Sequence, residues 1–135
     1  MKYKDKLYFS HAIEVRSSGL HGYGVFATRD ISKGEIIEEC YGIMMLNDWN
    51  SVDDKLKEYV FATPPFKSGL PSSSIALGHA MIYNHDEKNF NVDYKNDSSH
   101  SLFIFSAAKD INKDEELLIT YGPDSHCAER MRRNG

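Results

Sequence analysis

The sequence has too few cysteines for a fold held together by disulfides or by structural zinc. Only Cys40 and Cys127 occur among its 135 residues, and no CxxC or HExxH motif is present. Structural zinc sites need four Cys or His ligands, usually in closely spaced pairs. Such spacing is also missing from the six histidines, which are His11, His21, His79, His85, His100 and His126. We therefore expect no metal site and a reducing, intracellular setting.

Long hydrophobic runs are missing as well. No stretch of about 18 apolar residues occurs, so the sequence predicts no membrane-spanning helix. The opening residues, Met1–Lys6, are charged and contain no apolar segment. They therefore do not resemble a secretory signal. A chain of 135 residues predicts one domain of ordinary size.

The chain has no excess of positive charge. It carries 16 Lys and Arg against 20 Asp and Glu, for a formal net charge of −4. Proteins that bind nucleic acid usually present a basic face to the phosphates. The charge balance therefore argues against a nucleic-acid partner. It favours a basic partner instead, such as a tail rich in lysine and arginine.

A dinucleotide-binding motif is also absent. Gly22-Tyr23-Gly24 lacks the third glycine of a GxGxxG motif, and no helical pattern follows it. Glycine still gives the backbone unusual freedom and lets a ligand approach the peptide closely. The motif is therefore compatible with a plain hairpin turn or with a ligand site.

Most of the remaining chain shows the alternation of β-strands. Apolar and polar residues alternate, or β-formers cluster, between turns that contain glycine, asparagine or aspartate. The predicted strands are His11–Arg16, Gly22–Ala27, Glu35–Leu46, Asn91–Tyr94, Ser101–Ala108 and Glu115–Gly122. The turn Lys109–Asp114 repeats the pattern of Arg29–Gly34. We predict a mostly-β single domain.

Helical features occur only in the middle of the chain. In Asn47–Phe61, Ser51 can cap a helix and two aspartates follow in the first turn. Apolar side chains then fall on one face, and Pro64 and Pro65 end the pattern. This segment predicts one short helical insert.

An apolar run from Ile75 to Tyr83 stops abruptly at Asn84-His85. We expect its large side chains to be buried, which places the Asn-His pair at the edge of the core. Buried polar side chains need partners, because an unpaired one costs about 1–3 kcal/mol. The pair is either a turn after a strand or part of a binding site.

Four elements in a fixed order give the sequence a family resemblance. They are Gly22–Phe26 with Asp30–Gly34, Ile75–Tyr83 with Asn84-His85, Asp110–Glu116, and the strand Leu117–Gly122 that contains Tyr121. Together they resemble the SET-domain protein-lysine methyltransferases over roughly residues 11–123. Residues 1–10 would be an N-terminal extension and 124–135 a C-terminal tail.

Within that family, the chain is most similar to the minimal viral SET proteins that methylate host histones. The residues that add to this likeness are Glu38-Glu-Cys40, Asn47-Asp-Trp49, Glu58–Phe61 and Ala76-Leu-Gly78. The resemblance implies several small curved sheets, with the C-terminal strand threaded under a preceding loop as a pseudoknot. It also implies that the Asn84-His85 and Tyr121 stretches lie side by side.

The resemblance assigns a cofactor site and a catalytic residue. S-adenosylmethionine would be held by Gly22, Tyr23 and Gly24 together with Asn84 and His85. Tyr121 would be the catalytic tyrosine, orienting the substrate lysine and polarising the methyl group. Tyr23, Tyr59, Tyr41 and Ile119 would line the lysine channel, with Tyr83 a further candidate. Aromatic faces suit an ammonium group through cation–π attraction.

The chain departs from the family pattern in three places. Asp86 replaces a small residue after Asn84-His85, no proline follows, and Asn91 arrives one position late. These changes put the loop after His85 in doubt, and with it a structural hydrogen bond. Ile119 stands where many relatives have an aromatic residue that tunes the number of methyl groups added. With one cysteine in the tail, we expect the zinc-bound cap of many relatives to be absent. Another part of the protein must then cover the cofactor. The candidates are Pro123–Met131 and a second subunit, as in a homodimer.

The leading hypothesis is therefore methylation of a protein lysine, with a histone tail as the expected substrate. The expected location is the nucleus, and it is the nucleus of a host cell if the protein is viral. A basic peptide would lie as an extra strand on a sheet edge. The alternatives are a methyltransferase for a non-histone protein and a catalytically silent SET-like module that binds a lysine-containing peptide. The altered loop after His85 is the main support for the silent module.

Overall fold

The computed structural model describes residues 2–20, 22–45, 53–55, 61–63 and 72–120. These residues form nine strands in two sheets, and they include no helix. The strands are β1 (Ile13–Ser17), β2 (Tyr23–Ala27), β3 (Ile36–Met45), β4 (Phe61–Thr63), β5 (Ser72–Ala76), β6 (Asn84–His85), β7 (Val92–Asp97), β8 (Leu102–Ala107) and β9 (Glu116–Ile119). The predicted mostly-β fold is confirmed.

The two sheets differ in size. The four-stranded sheet has the order β1-β2-β9-β6, and the five-stranded sheet has the order β4-β5-β3-β8-β7. All pairs are antiparallel except β6 with β9, which run parallel. In β8 and β9 buried residues recur at alternate positions, as expected when one face of a strand packs on a core. That core includes Val25, Ile37, Phe105, Leu117 and Ile119, each fully buried.

The N-terminal segment packs directly on the larger sheet. Phe9 forms a β-bridge with Glu38 of β3, and the flanking backbone bonds join Ser10 N to Ile37 O and Glu39 N to Tyr8 O. The Lys4 ammonium lies 2.6 Å from the Glu39 carboxylate. The predicted domain boundary at residue 11 stays a prediction, but residues 8–10 already hydrogen-bond to β3.

The predicted helix over Asn47–Phe61 is wrong at its C-terminal end. Phe61–Thr63 is strand β4, paired with Ser72–Ser74 of β5. Residues 53–55 form a turn, and the rest of the predicted helix lies outside the described residues. Phenylalanine is a common strand residue, and the pairing with β5 decides the backbone conformation here.

The prediction that the large apolar residues of Ile75–Tyr83 are all buried is also wrong in part. The strand ends at Ala76, and residues 77–82 turn before β6 begins. Leu77 is exposed, whereas Ala80 and Tyr83 are buried. Gly78 permits the reversal with a φ of 103°. In this turn the small Ala80 therefore faces the core, and the larger Leu77 faces solvent.

Two turns of similar sequence hydrogen-bond to each other across the fold. We call them the turn pair, residues 30–35 and 110–115. The backbones of Ile31 and Ile111 exchange two hydrogen bonds of 2.8 Å. Asp110 Oδ1 accepts from Lys33 N, and Asp30 Oδ1 accepts from Lys113 N, each at 2.8 Å. Each turn thus supplies the aspartate that caps the other.

The left-handed residue of each turn also occupies an equivalent place. Gly34 has a φ of 86° and Asp114 a φ of 71°. The Gly34 amide donates to Ala107 O, and the Asp114 amide donates to Ala27 O, both at 2.8 Å. The turn pair therefore joins the ends of β2 and β8 to the starts of β9 and β3, which fixes where β9 enters the smaller sheet.

We predict that Gly34→Ala lowers the free energy of unfolding by about 1 kcal/mol, because the left-handed conformation penalises a Cβ. No atom lies within 4 Å of a Cβ placed at Gly34, so the cost is one of backbone conformation alone. Gly19→Ala is the matched control, with equally open space and no positive φ. It should be neutral within about 0.5 kcal/mol. Urea unfolding of both variants measures the difference, and equal stabilities would contradict the assignment.

Candidate functional site

Asn84 and His85 lie beside the strand that leads to Tyr121. They form β6, whose residues pair in parallel with Leu118 and Ile119 of β9. Asp86 N continues the ladder with a 2.9 Å bond to Ile119 O. The predicted proximity of the Asn-His pair to the last strand is confirmed, and Tyr121 itself lies outside the described residues.

The Asn84 side chain joins three segments of the chain. Its Nδ2 donates to Tyr23 O at 3.2 Å and to Glu116 Oε2 at 2.7 Å. The first partner belongs to the glycine-flanked start of β2 and the second to the start of β9. Because both contacts use the same nitrogen, they fix the plane of the amide and the direction of its oxygen.

The Gly22-Tyr23-Gly24 motif meets Asn84 at this point. Gly22 adopts a left-handed φ of 50°, and the Tyr23 side chain is 71% exposed. A Cβ added at Gly24 would overlap the Glu116 carboxylate and lie 3.1 Å from Asn84 Nδ2. A side chain at position 24 would therefore have to displace the Glu116 carboxylate from its place beside Asn84.

Glu116 is the site residue that the sequence reasoning missed. Its carboxylate accepts from Asn84 Nδ2 and from Ser18 Oγ, the latter at 2.9 and 3.0 Å for the two oxygens. It lies in the Asp110–Glu116 element already noted for the resemblance. The available signal was an acidic residue opening an otherwise apolar strand, although its partners are 32 and 98 residues away in sequence.

The His85 side chain packs inward. Only 5% of it is exposed, and its Nε2 lies 4.0 Å from Glu87 Oε1. Its backbone belongs to β6, an edge strand of the smaller sheet. Any role of His85 toward a ligand is thus one for its peptide groups, as expected from the sequence, and that role stays a prediction.

The loop after His85 is well formed despite its unusual sequence. Asp86 Oδ1 accepts from Lys88 N at 2.9 Å and Asn89 N at 3.0 Å. The Asn89 amide, followed by the other hydrogen bonds, lowers the pKa of Asp86 against the opposing effect of desolvation. The Asp86 side chain therefore stabilises this loop as an Asx turn.

Asn91 ties the end of this loop to β9. It is 4% exposed, and its Nδ2 donates to Glu116 O at 2.9 Å while its Oδ1 accepts from Leu118 N at 2.7 Å. Its backbone N also donates to Leu118 O at 2.9 Å. The structural hydrogen bonds that the late position of Asn91 had put in doubt are therefore present.

The predicted lysine-channel residues have very different surroundings. Tyr23 is exposed on the smaller sheet. Tyr41 is partly exposed on the larger sheet, with its ring centroid 6.0 Å from that of Tyr3. Ile119 is fully buried, and Tyr59 lies outside the described residues. The channel stays a prediction.

Tyr83 belongs to the core instead. It is buried, and its ring stacks on Phe105 with centroids 5.0 Å apart. Its hydroxyl donates to Glu38 Oε1 at 3.0 Å. Burial, followed by the proximity of Glu38, raises the pKa of Tyr83 well above its usual value. This buried position does not favour a role for Tyr83 in an open channel.

The described part of the chain contains no group of three or more His, Cys, Asp or Glu residues that could hold a metal ion. Cys40 is buried as a free thiol, and Cys127 lies outside the described residues. None of the described ranges contains a helix long and apolar enough to cross a membrane.

Comparisons with known proteins agree with this arrangement. A histone-lysine N-methyltransferase of Schizosaccharomyces pombe, specific for H3 lysine-37, is 30% identical over 113 residues, covering 82% of this chain and 73% of that protein. The crystal structure of a candidate histone methyltransferase from Plasmodium falciparum matches with a TM-score of 0.64 and 29% identity. That match covers 85% of this chain and 96% of the other.

A more distant structure shows the fold alone. It is Polycomb Repressive Complex 2 of Chaetomium thermophilum, autoinhibited and bound to S-adenosylmethionine. The match has a TM-score of 0.61 and 22% identity, and it covers 91% of this chain and 16% of that one. A family model described as the SET domain matches residues 22–122, which span most of the chain. The chain therefore belongs to the SET-domain family.

Proposed function

We propose that this protein transfers a methyl group from S-adenosylmethionine to a lysine side chain of another protein. The observation that carries the proposal is the Asn84 amide, which joins the glycine-flanked start of β2 to Glu116 of β9. It brings the predicted cofactor segments together at the sheet edge where the chain continues to Tyr121. The family membership and the lysine methyltransferase relatives support the same reaction.

The residues at this edge fit the cofactor. Gly22 has open space where a Cβ would stand, so the backbone there can meet a ligand closely. The Asn84 amide carries both a donor and an acceptor, and its Nδ2 contacts place it beside the glycine-flanked start of β2. Gly22, Tyr23, Gly24, Asn84 and the peptide groups of His85 would hold the cofactor. When bound, S-adenosylmethionine supplies a methyl group made electrophilic by its sulfonium.

In the proposed reaction, the lysine nitrogen forms a bond to the methyl carbon as the bond from that carbon to sulfur breaks. The amine must be neutral, and the nearby sulfonium charge favours loss of its proton to water. Tyr121 would orient the nitrogen and stabilise the transferring methyl group. Tyr23, Tyr41, Tyr59 and Ile119 remain the proposed lining of the lysine channel.

A basic tail is the proposed substrate. The net charge of −4 favours a partner rich in lysine and arginine. The relative from Schizosaccharomyces pombe acts on histone H3. We propose a histone tail that adds a strand to a sheet edge, and hence a nuclear location. A non-histone protein with a similar tail would need the same chemistry.

Two narrower points belong to the same proposal. The elements Glu38-Glu-Cys40, Asn47-Asp-Trp49, Glu58–Phe61 and Ala76-Leu-Gly78 favour the minimal viral type of SET protein, which would act in a host nucleus. Cover for the cofactor would come from Pro123–Met131 or from a second subunit. Both points rest on sequence resemblance.

Incubation with labelled S-adenosylmethionine and a panel of histones, followed by mass spectrometry, tests the function. We expect label on one or a few lysines of a histone tail. Label on a non-histone protein alone would support the proposed methyltransferase activity and show that the substrate is not a histone. Cofactor or peptide binding without transfer to any protein would favour the silent module. The ordered loop through Asn91 weakens that alternative, because the altered loop was its main support.

A further inference from the structure

A buried carboxylate contacts the segment that leads into β6 (Asn84–His85), which we call the cofactor strand. Glu38 on β3 is 3% exposed, and both of its oxygens are engaged. Oε1 accepts from the Tyr83 hydroxyl at 3.0 Å, and Oε2 faces His79 Nδ1 at 3.1 Å. The two partners flank the last residues of the turn that leads from β5 into β6, so Glu38 holds the end of that turn that precedes Asn84.

This turn determines where Asn84 lies. His79 and Tyr83 bracket its last residues, and Asn84 follows Tyr83 immediately. Ile82 N donates to His79 O at 2.9 Å, which closes the turn on itself. At the other end, a Cβ at Gly78 would lie 3.2 Å from Cys40 Sγ, so the turn packs tightly on β3. A shift of this turn would therefore move the Asn84 amide away from Tyr23 and Glu116.

A buried carboxylate also needs a compensating positive charge. The titratable groups that face Glu38 are His79 and Tyr83, from the segment between β5 and β6, and Cys40 on β3 itself. Burial, followed by the nearby Glu38 charge, raises the pKa of both the Cys40 thiol and the Tyr83 hydroxyl, so neither is a source of charge. Among the described residues, the salt-bridge partner of Glu38 is His79.

His79 is suited to carry that charge. Its side chain is 29% exposed, so water can deliver and remove a proton. The Phe9 ring stacks on the imidazole, with centroids 5.4 Å apart and planes 9° apart, which favours the cation. The other neighbour of Phe9 is the His11 ring at 4.8 Å. The hydrogen bond with Glu38 raises the pKa of His79 above its usual value, against the effect of burial.

We propose that Glu38 is a positioning residue for the cofactor strand, that it holds the turn before Asn84 through His79 and Tyr83, and that it does so fully only while His79 is protonated. The inference rests on the proposed function, because the ligand whose binding it controls is S-adenosylmethionine. The folded protein holds the His79 proton more tightly than the unfolded chain. The stabilisation is thus complete below the ordinary histidine pKa of about 6.5. It is lost as pH rises through the raised value.

Calorimetry with S-adenosylmethionine between pH 6 and pH 8.5 tests the proposal. We expect the affinity of the wild-type protein to fall about 10-fold over this range. Glu38→Gln and His79→Phe should bind more weakly at pH 6 and lose this slope. His100→Phe is the control, since it removes another histidine–carboxylate pair, that of His100 with Asp97 at 2.9 Å, in the turn between β7 and β8. The amino group of the cofactor also titrates in every sample. The contribution of His79 is therefore the difference in slope between the wild-type protein and His79→Phe.

NMR titration of the His79 ring in the wild-type protein without cofactor gives an independent measurement. We expect its midpoint above that of a free histidine. A midpoint at or below the free value, or a binding slope unchanged in His79→Phe, would overturn the proposal. Binding without a slope would refute this inference alone. Absence of binding at every pH, with no methyl transfer, would refute the proposed function.

Discussion

Tyr121→Phe should lower the rate of methyl transfer by about 10²-fold or more while leaving the protein folded. The substitution removes one hydroxyl group and almost no volume. A hydroxyl that orients the lysine nitrogen and stabilises the transferring methyl group acts mainly in the transition state, where such groups have their largest effect. Cofactor affinity should change little. Single-turnover methylation, calorimetry and a thermal melt measure these three properties.

The matched control is Tyr94→Phe. Tyr94 is half-buried and packs against Phe103 and Phe105, so this variant removes a hydroxyl from a tyrosine of the core. It should methylate at nearly the parent rate. If the folded Tyr121→Phe variant does the same, Tyr121 is not catalytic and the silent-module alternative gains its strongest support.

Asn84→Asp should weaken cofactor binding at pH 8 by at least about 10-fold and destabilise the fold by about 2 kcal/mol. An oxygen would replace Nδ2, which now lies 2.7 Å from the Glu116 carboxylate and 3.2 Å from Tyr23 O. Both attractive contacts would become repulsive, and the site is only half-buried, which keeps the cost below that of a fully buried charge. Asn84→Ala, which removes the donor without adding charge, should cost about 1–3 kcal/mol of binding.

The effect of Asn84→Asp should depend on pH. Two carboxyl groups at hydrogen-bond distance cannot both ionise, so the folded pair keeps a proton that the unfolded chain releases. Stability is thus retained at low pH and lost as pH rises, and we expect binding to recover toward pH 5. Thermal melts and calorimetry at pH 5 and pH 8 measure this dependence.

Asn96→Asp is the matched control, because it makes the same chemical change at an exposed position of β7. It should have little effect at either pH. Adding Glu116→Gln to Asn84→Asp should restore part of the loss, since the amide then donates to the new carboxylate. Equal behaviour of the two single variants would contradict the contacts assigned to Asn84.

The strands were predictable because their alternation is local. The regions around β2, β3, β8 and β9 were located to within a few residues from the pattern of apolar positions. The helix prediction failed at Phe61, where pairing with β5 overrides the local pattern. Leu77 was wrongly expected to be buried, since an apolar residue in a turn carries no periodic signal that shows which way it faces.

The candidate site was predictable in part. Asn84, His85 and the Gly22–Gly24 motif came from a family resemblance, and the structure brings them together at β9. The roles of Glu116 and Glu38 were not foreseen. Glu38 meets His79 and Tyr83 at separations of 41 and 45 residues, and no local pattern records such contacts. Acidic residues are common at solvent-facing strand positions, so composition gave no reason to select these two.

The turn pair has a consequence for biosynthesis. Its second member leaves the ribosome about 80 residues after the first. At roughly 5–20 residues per second, this is a delay of about 4–16 seconds. During that time β2 lacks its neighbour β9 and presents an open strand edge, a known cause of aggregation. A nascent chain that stops before Lys109 would therefore present this edge to chaperones and to other copies. Two separately made fragments divided between these turns would each carry one of the aspartates that the other turn uses.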